Sequence, residues 1–326
     1  MRRRYAVALL GGVAFCPLAV GVQPARTMTI GMLSPFSQDI GPPAFDAFEN
    51  ELRSLGWRPG ENIAFEYRWA DGKPERLPVL AAELVELKVD LIFDLWGTPA
   101  ALVAKRATAT IPIVFCATGD AIGVGLVTSL SRPGGNVTGV TLITELTIGK
   151  QLEFLKAVVP RLSRVGVLIN PTNPVYGPVL RASEVPAVAL NLQLQAIAVR
   201  DAGEFDSAFR AAVKDGIEGL VALRDAVIIM NRAQLPALAA KYRLPTIFAV
   251  KEFADRGGMM SYGPHIGDMY LRCAHIIANI LKGQHPADVP VEQASRFELV
   301  INLKTANALG LIVPPWLLAR ADEVIE

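Results

Sequence analysis

Histidine and cysteine are scarce in this sequence, with three of each among 326 residues. That scarcity removes several chemistries at once. His265, His275 and His285 sit at ten-residue intervals, which matches no metal-ligand pattern such as the two-histidine helix motif. There is no Cys-x-x-Cys pair, no Gly-x-Ser-x-Gly elbow and no glycine-rich phosphate loop ending in Lys-Ser/Thr. Dithiol redox chemistry, serine hydrolysis and P-loop nucleotide binding therefore lack their signatures. Gly123-Val124-Gly125 lacks the third glycine of a dinucleotide fingerprint. Charge is sparse too: 19% of residues are ionisable, the net charge is +1, and no basic block follows the first residues. A nucleic-acid partner, which needs a basic face, is not expected. Neither is a metal or a cofactor.

What is present is apolar: 52% of the residues are hydrophobic, enough for the cores of two α/β lobes. The chain opens with Arg2, Arg3 and Arg4, then an uncharged apolar stretch over 5–22, broken by Gln23-Pro24-Ala25-Arg26. This is the build of a secretory signal peptide over 1–26, and it places the mature protein in the periplasm. A transmembrane anchor fits less well, because Gly11, Gly12 and Pro17 interrupt a run already short for spanning. Phe15 before Cys16 argues against lipid anchoring. Cys116 ends an apolar run and Cys273 lies in a helical pattern, so buried free thiols are expected, with a disulfide left open.

Beyond the leader, strand-like and helix-like segments alternate. Strands are expected at 28–33, 62–69, 90–95 and 111–116, with helices at 43–55, 74–87 and 98–107 between them. A glycine-rich pause over 118–144 precedes a second alternating series, which ends in a long helix at 266–281, a strand at 297–302 and a helical tail. This rhythm implies parallel sheets covered by helices on both faces. Thr98 followed by Pro99 suggests an N-cap and first helical residue.

Sheets of this type hold ligands at the carboxyl ends of their strands, and polar residues recur there. Ser34, Ser37 and Gln38 follow the first strand; Trp96, Gly97 and Thr98 the third; Gly119 and Asp120 the fourth. In the second half Asn170, Asn173 and Tyr176 follow one strand, and Arg224 and Asp225 another. Any of them also suits ordinary loop capping. Backbone N–H groups at a helix start favour an anion, so Gly97-Thr98 could hold a carboxylate beside an aromatic wall at Trp96. Asp120 and Asp225 are candidate acceptors for an ammonium or hydroxyl group.

Six segments carry a family resemblance: Ile30-Gly31-Met32-Leu33, the stretch 76–85, Gly97-Thr98-Pro99-Ala100-Ala101, the stretch 132–139 around Pro133-Gly134-Gly135-Asn136, the stretch 257–263, and Phe297-Glu298-Leu299-Val300-Ile301-Asn302 with its continuation to Ala306. Together they resemble the ABC-transporter substrate-binding proteins of the tryptophan/tyrosine-binding type. The resemblance implies a type I periplasmic-binding-protein fold: two Rossmann-like lobes with parallel sheets, joined by a three-crossing hinge. The N-terminal lobe would take 27–140 plus about 265–284, and the C-terminal lobe 141–264 plus about 285–326. Thr144 and Tyr262, at the first two crossings, join the expected ligand set. The implied role is a monomeric, non-enzymatic receptor that hands a small molecule to an ABC permease with its separate ATPase. An aromatic or amino-acid-like carboxylate is the expected ligand class. The alternatives are an exported sensory domain that signals through a membrane partner, and an enzyme using Asp120 or Asp225 as acid or base. Trp96, Ala226 and His265 depart from common residues of the family near the expected cleft.

Overall fold

The computed structural model describes residues 26–38, 45–142 and 144–326, with the backbone alone at 144–146. The expected leader, apart from Arg26, and Cys16 lie outside these residues.

The first sheet grows from β1 (Met28–Ser34), β2 (Ile63–Trp69), β3 (Leu91–Asp94), β4 (Ile113–Gly119) and β5 (Val137–Leu142), interleaved with α1 (Phe45–Ser54), α2 (Leu77–Glu86) and α3 (Thr98–Ala107). The second uses α4 (Thr144–Val158), β6 (Arg164–Ile169), α5 (Tyr176–Ala189), β7 (Gln193–Ala198), α6 (Phe205–Lys214), β8 (Gly219–Ala222), α7 (Ala226–Met230), α8 (Gln234–Lys241), β9 (Thr246–Phe248), α9 (Lys251–Asp255) and β10 (Met260–Pro264). The chain closes with α10 (Ile266–Leu281), β11 (Glu292–Gln293), β12 (Phe297–Asn302), α11 (Leu303–Ala308), α12 (Pro315–Leu318) and β13 (Glu323–Ile325). Strand orders are β11-β5-β4-β3-β1-β2 and β13-β12-β10-β9-β8-β6-β7.

The central strands are buried on both faces. In β1, Ile30 and Met32 join one apolar cluster while Leu33 joins another on the opposite side, as helices over both faces require. The parallel expectation needs one correction, since β12 runs antiparallel to β10. The crossings explain it. β10 carries the chain out of the second lobe and β12 carries it back, so the two point opposite ways.

Helix α10 shows where the chain goes between those strands. Its buried stripe, including Met269, Tyr270, Cys273 and Ile277, packs on α1 and β4 of the first sheet. The Tyr270 hydroxyl donates to the Leu95 carbonyl at 2.7 Å. The first lobe also keeps the chain longer than the boundary near 285 would have it. Thr138 Oγ1 donates to the Val289 carbonyl at 2.8 Å, and Glu292 pairs with Val140 in the sheet. The final return therefore falls between β11 and β12.

Cys116 and Cys273 are both free and buried. Cys273 Sγ lies 3.8 Å from the Phe115 carbonyl, tying α10 to β4, and burial pushes its thiol well above the ordinary range.

Tyr270→Phe should lower unfolding stability by about 1–2 kcal/mol, because it leaves a buried carbonyl without its donor. Urea titration measures this. An unchanged midpoint would show that the bond contributes nothing to anchoring α10.

Candidate ligand-binding cleft

The carboxyl ends of the two sheets face one another across a cavity of about 280 Å³, the scale of a small-molecule site. The lobes touch around it. A side chain at Gly72, in the loop after β2, would come within 2.6 Å of Met230 Sδ at the end of α7. The Arg224 guanidinium, from the loop after β8, lies 3.9 Å from the centre of the Trp96 ring. The arrangement is closed.

The first-lobe wall begins at the end of β3. Asp94 Oδ1 accepts from the Trp96 backbone N–H at 3.0 Å, which turns the chain. Phe36, 5.5 Å away ring to ring, packs against the indole. Gly97 caps α3 with φ +87°, a left-handed conformation that suits a residue without Cβ. This corrects the expectation that Thr98 is the cap. Thr98 is the first helical residue, and its Oγ1 accepts instead from the Gly119 N–H at 3.3 Å, strapping α3 to the end of β4. The strap matters because β4 is irregular there. Its register shifts between Cys116 and Thr118, and Ala117, with φ 61°, is turned onto the cavity wall. Bulges commonly re-aim a strand in this way.

The second-lobe wall is organised by Asp225. Its Oδ1 accepts from Asn170 Nδ2 at 3.1 Å and from the Val227 N–H at 2.9 Å, and its Oδ2 from Asn173 Nδ2 at 3.0 Å. The carboxylate thus N-caps α7 and ties its own loop to the loop after β6. Desolvation still holds its pKa above the ordinary carboxylate value. The Tyr176 hydroxyl donates to the Arg224 carbonyl, fixing the backbone that projects Arg224.

Arg224 itself is the anomaly. The residue is half-buried, yet Nε and both terminal nitrogens are shielded from solvent and make no hydrogen bond. Burial pushes its pKa down to about 10, so it remains a cation at neutral pH. A second unpartnered polar atom in the wall is Gln151 Oε1; the amide nitrogen donates to the Tyr262 carbonyl at 2.8 Å.

Of the residues expected at the site, Trp96, Gly97, Thr98, Gly119, Asn173, Tyr176 and Asp225 border the cavity. Ser34, Ser37, Gln38, Asp120 and Tyr262 are not among its lining residues. Ser34 Oγ accepts from the Phe36 N–H, and Asp120 Oδ1 from the Gly123 N–H; both are local turn bonds. The Tyr262 ring packs between Phe154 at 5.0 Å and Phe297 at 5.9 Å, inside the second lobe. The side chain of Thr144 lies outside the described residues. His265 caps α10, its Nδ1 accepting from the Asp268 N–H. Arg224 was expected only as a polar residue following its strand, with no role assigned, and Gln151 was not expected. A lone arginine directly after an apolar strand was the available sign of the first, whereas nothing singled out the second. Among the described residues there is no cluster of acidic, histidine or cysteine side chains suited to a metal, and no helix is long and apolar enough to cross a membrane.

Comparison with known proteins gives a consistent result. The family model for ABC transporter substrate binding proteins matches residues 30–325. A tyrosine-binding protein of Clostridioides difficile is 27% identical over 280 residues, spanning 84% of this chain and 80% of its own. A conserved domain protein of Vibrio cholerae superposes with a TM-score of 0.84 at 27% identity, covering 92% of this chain and all of that one. The ABC domain from Streptococcus pneumonia in complex with L-Trp gives 0.82 at 25% identity, with the same coverage. The two-lobed, mostly parallel architecture is shared with these structures.

Asp94 yields a test of the first wall. It is fully buried, its Oδ2 has no partner, and desolvation raises its pKa well above the carboxylate range. For an acid with a raised pKa, the folded state holds a proton that the unfolded chain releases. Its contribution is full below the unfolded value near 3.9 and declines as pH rises toward the folded value. Asp94→Asn, permanently neutral, should therefore melt higher than wild type at pH 8, by roughly 1–3 °C, with the difference vanishing near pH 4. Parallel melting curves that keep the same gap at both pH values would refute this.

Proposed function

The chain belongs to the ABC transporter substrate-binding protein family, and from that premise we propose that it is the solute receptor of an importer, closing its lobes on a small organic carboxylate. The relatives that bind tyrosine and L-Trp make aromatic or amino-acid-like acids the first class to consider. The observation that carries the reading is the closed cavity with two positive features on opposite lobes. The N-terminus of α3 supplies the positive end of a helix dipole, and Arg224 supplies a guanidinium with no partner.

Closure follows from that division. A ligand held by both lobes makes its full set of contacts only in the closed form, so binding shifts the population toward closure. The closed receptor then delivers its load to a membrane permease powered by a separate ATPase. Secretion by the N-terminal leader places this exchange in the periplasm, with the receptor working as a monomer. Catalysis is not part of the proposal. Asp225 spends its oxygens on Asn170, Asn173 and Val227, and Asp120 is engaged in its own turn, which leaves neither as a free base beside the cavity.

A thermal-shift screen over amino acids, aromatic acids, aliphatic acids and sugars tests the reading. A ligand at about 100 times its Kd should add about 2.7 kcal/mol of stability, visible as a higher melting temperature. Trp96→Ala should weaken that ligand roughly tenfold, the scale of lost aromatic and cation–π contact. The proposal fails if no solute raises the melting temperature and native mass spectrometry finds no small molecule carried through purification.

A further inference from the structure

We infer that the cleft selects an organic acid bearing a carboxylate and no ammonium group, with Arg224 as its charge anchor. This rests on the receptor reading above and narrows it.

The argument is one of charge and of free hydrogen-bonding capacity. Arg224 brings three shielded nitrogens to the interlobe contact, none with an acceptor. Its guanidinium is stacked on Trp96, and stacking satisfies the face of the group but leaves its in-plane donors unused. A carboxylate fits those donors in their own plane. The N-terminus of α3 across the cavity has the same electrostatic sign.

A zwitterion needs, in addition, a site for its cation. Among the described residues four carboxyl groups lie near enough to consider, and none presents a free, shielded oxygen to the cavity. Glu252 attracts Arg224 through space but is only half-buried and does not line the cavity. Asp225 already accepts three hydrogen bonds. Asp94 is not among the cavity's lining residues, and its Oδ1 accepts from Trp96. Glu75 does line the cavity but is solvent-exposed, where water and salt screen its attraction. Among the described residues, Gln151 Oε1 is a buried side-chain acceptor in the wall without a partner, a neutral oxygen suited to a hydroxyl. Among the described residues, an ammonium at the cavity would therefore lie close to the Arg224 guanidinium with no shielded carboxylate in the wall to receive it. The rest of the wall, including Pro35, Leu77, Leu142, Val175, Leu223 and Val227, suits an apolar body.

The test compares acids with their α-amino counterparts on four frames: 3-phenylpropanoate with L-phenylalanine, 3-(4-hydroxyphenyl)propanoate with L-tyrosine, 3-(indol-3-yl)propanoate with L-tryptophan, and 4-methylpentanoate with L-leucine. Titration calorimetry on the full mature chain should show the simple acid binding at least tenfold tighter on every frame that binds. Arg224→Met keeps an apolar group over Trp96 and removes the unpaired buried charge. It should melt at or above the wild-type temperature without ligand, while acid affinity falls at least a hundredfold. An amino acid that binds as well as its simple acid overturns the inference, as does Arg224→Met with undiminished acid affinity. Failure of every member of both series also overturns it. In that case a hit elsewhere in the broader thermal screen leaves the receptor reading intact, and an empty screen removes both.

Discussion

A guanidinium withdrawn from water must be matched by an acceptor or leave the fold with an unmet cost, and the cleft is organised around one in that position. Arg224 reaches from the second lobe onto the indole of the first, at 3.9 Å from its centre. The elements that hold it there are specific. Asp225 gathers the loops after β6 and the start of α7, and Tyr176 clamps the Arg224 carbonyl. On the facing lobe, Asp94 turns the chain into Trp96. None of these supporting groups pairs with the guanidinium itself, so they determine where the charge sits without neutralising it.

The first lobe meets that charge with backbone. Gly97 takes a left-handed conformation to open α3, and the Thr98 hydroxyl holds the helix start against the irregular end of β4. The consequence is that Thr98 serves the site through position: its oxygen is already engaged by Gly119, and the strap holds the positive end of the helix dipole at the cavity wall. A threonine at that point looks in sequence like a cap or a ligand contact. Its actual partner lies 21 residues away on the next strand, a distance that no local pattern encodes.

That difference between local and distant partners explains what could be read from the chain alone. Strands buried on both faces declare themselves as apolar runs, and the long apolar stripe of α10 was legible as a helix, with the family resemblance assigning it to the first lobe. Some short elements were not legible. α7 and α9 have five residues each, too few for a period to show, and β13 has three. The polar residues after strands separated poorly into structural and exposed sets for a physical reason. Ser34, Asp120 and Asp225 are the residue types that end strands and start helices by bonding to nearby N–H groups, and here each does so. Trp96 and Arg224 have no such local use, and they are the pair that meets across the lobes. Tyr262 misled in the other direction, because an aromatic at a crossing fills the core between Phe154 and Phe297 as readily as it faces a cleft.

The interlobe contact also bears on why closure should depend on ligand. Stacking a guanidinium on an indole contributes on the order of 0.5–2 kcal/mol, whereas stripping an ion of water without pairing it costs several. The stack alone is therefore too weak to hold the lobes together against the cost of burying Arg224. An acceptor that arrives in the cavity changes the balance only in the closed form, because in an open form water already solvates the same guanidinium. A ligand shifts an equilibrium by the difference in its affinity for the two states, and an unpaired cation confined to the closed state is a direct source of that difference. The feature that makes the closed cleft costly by itself is the one that makes its closure responsive to what enters.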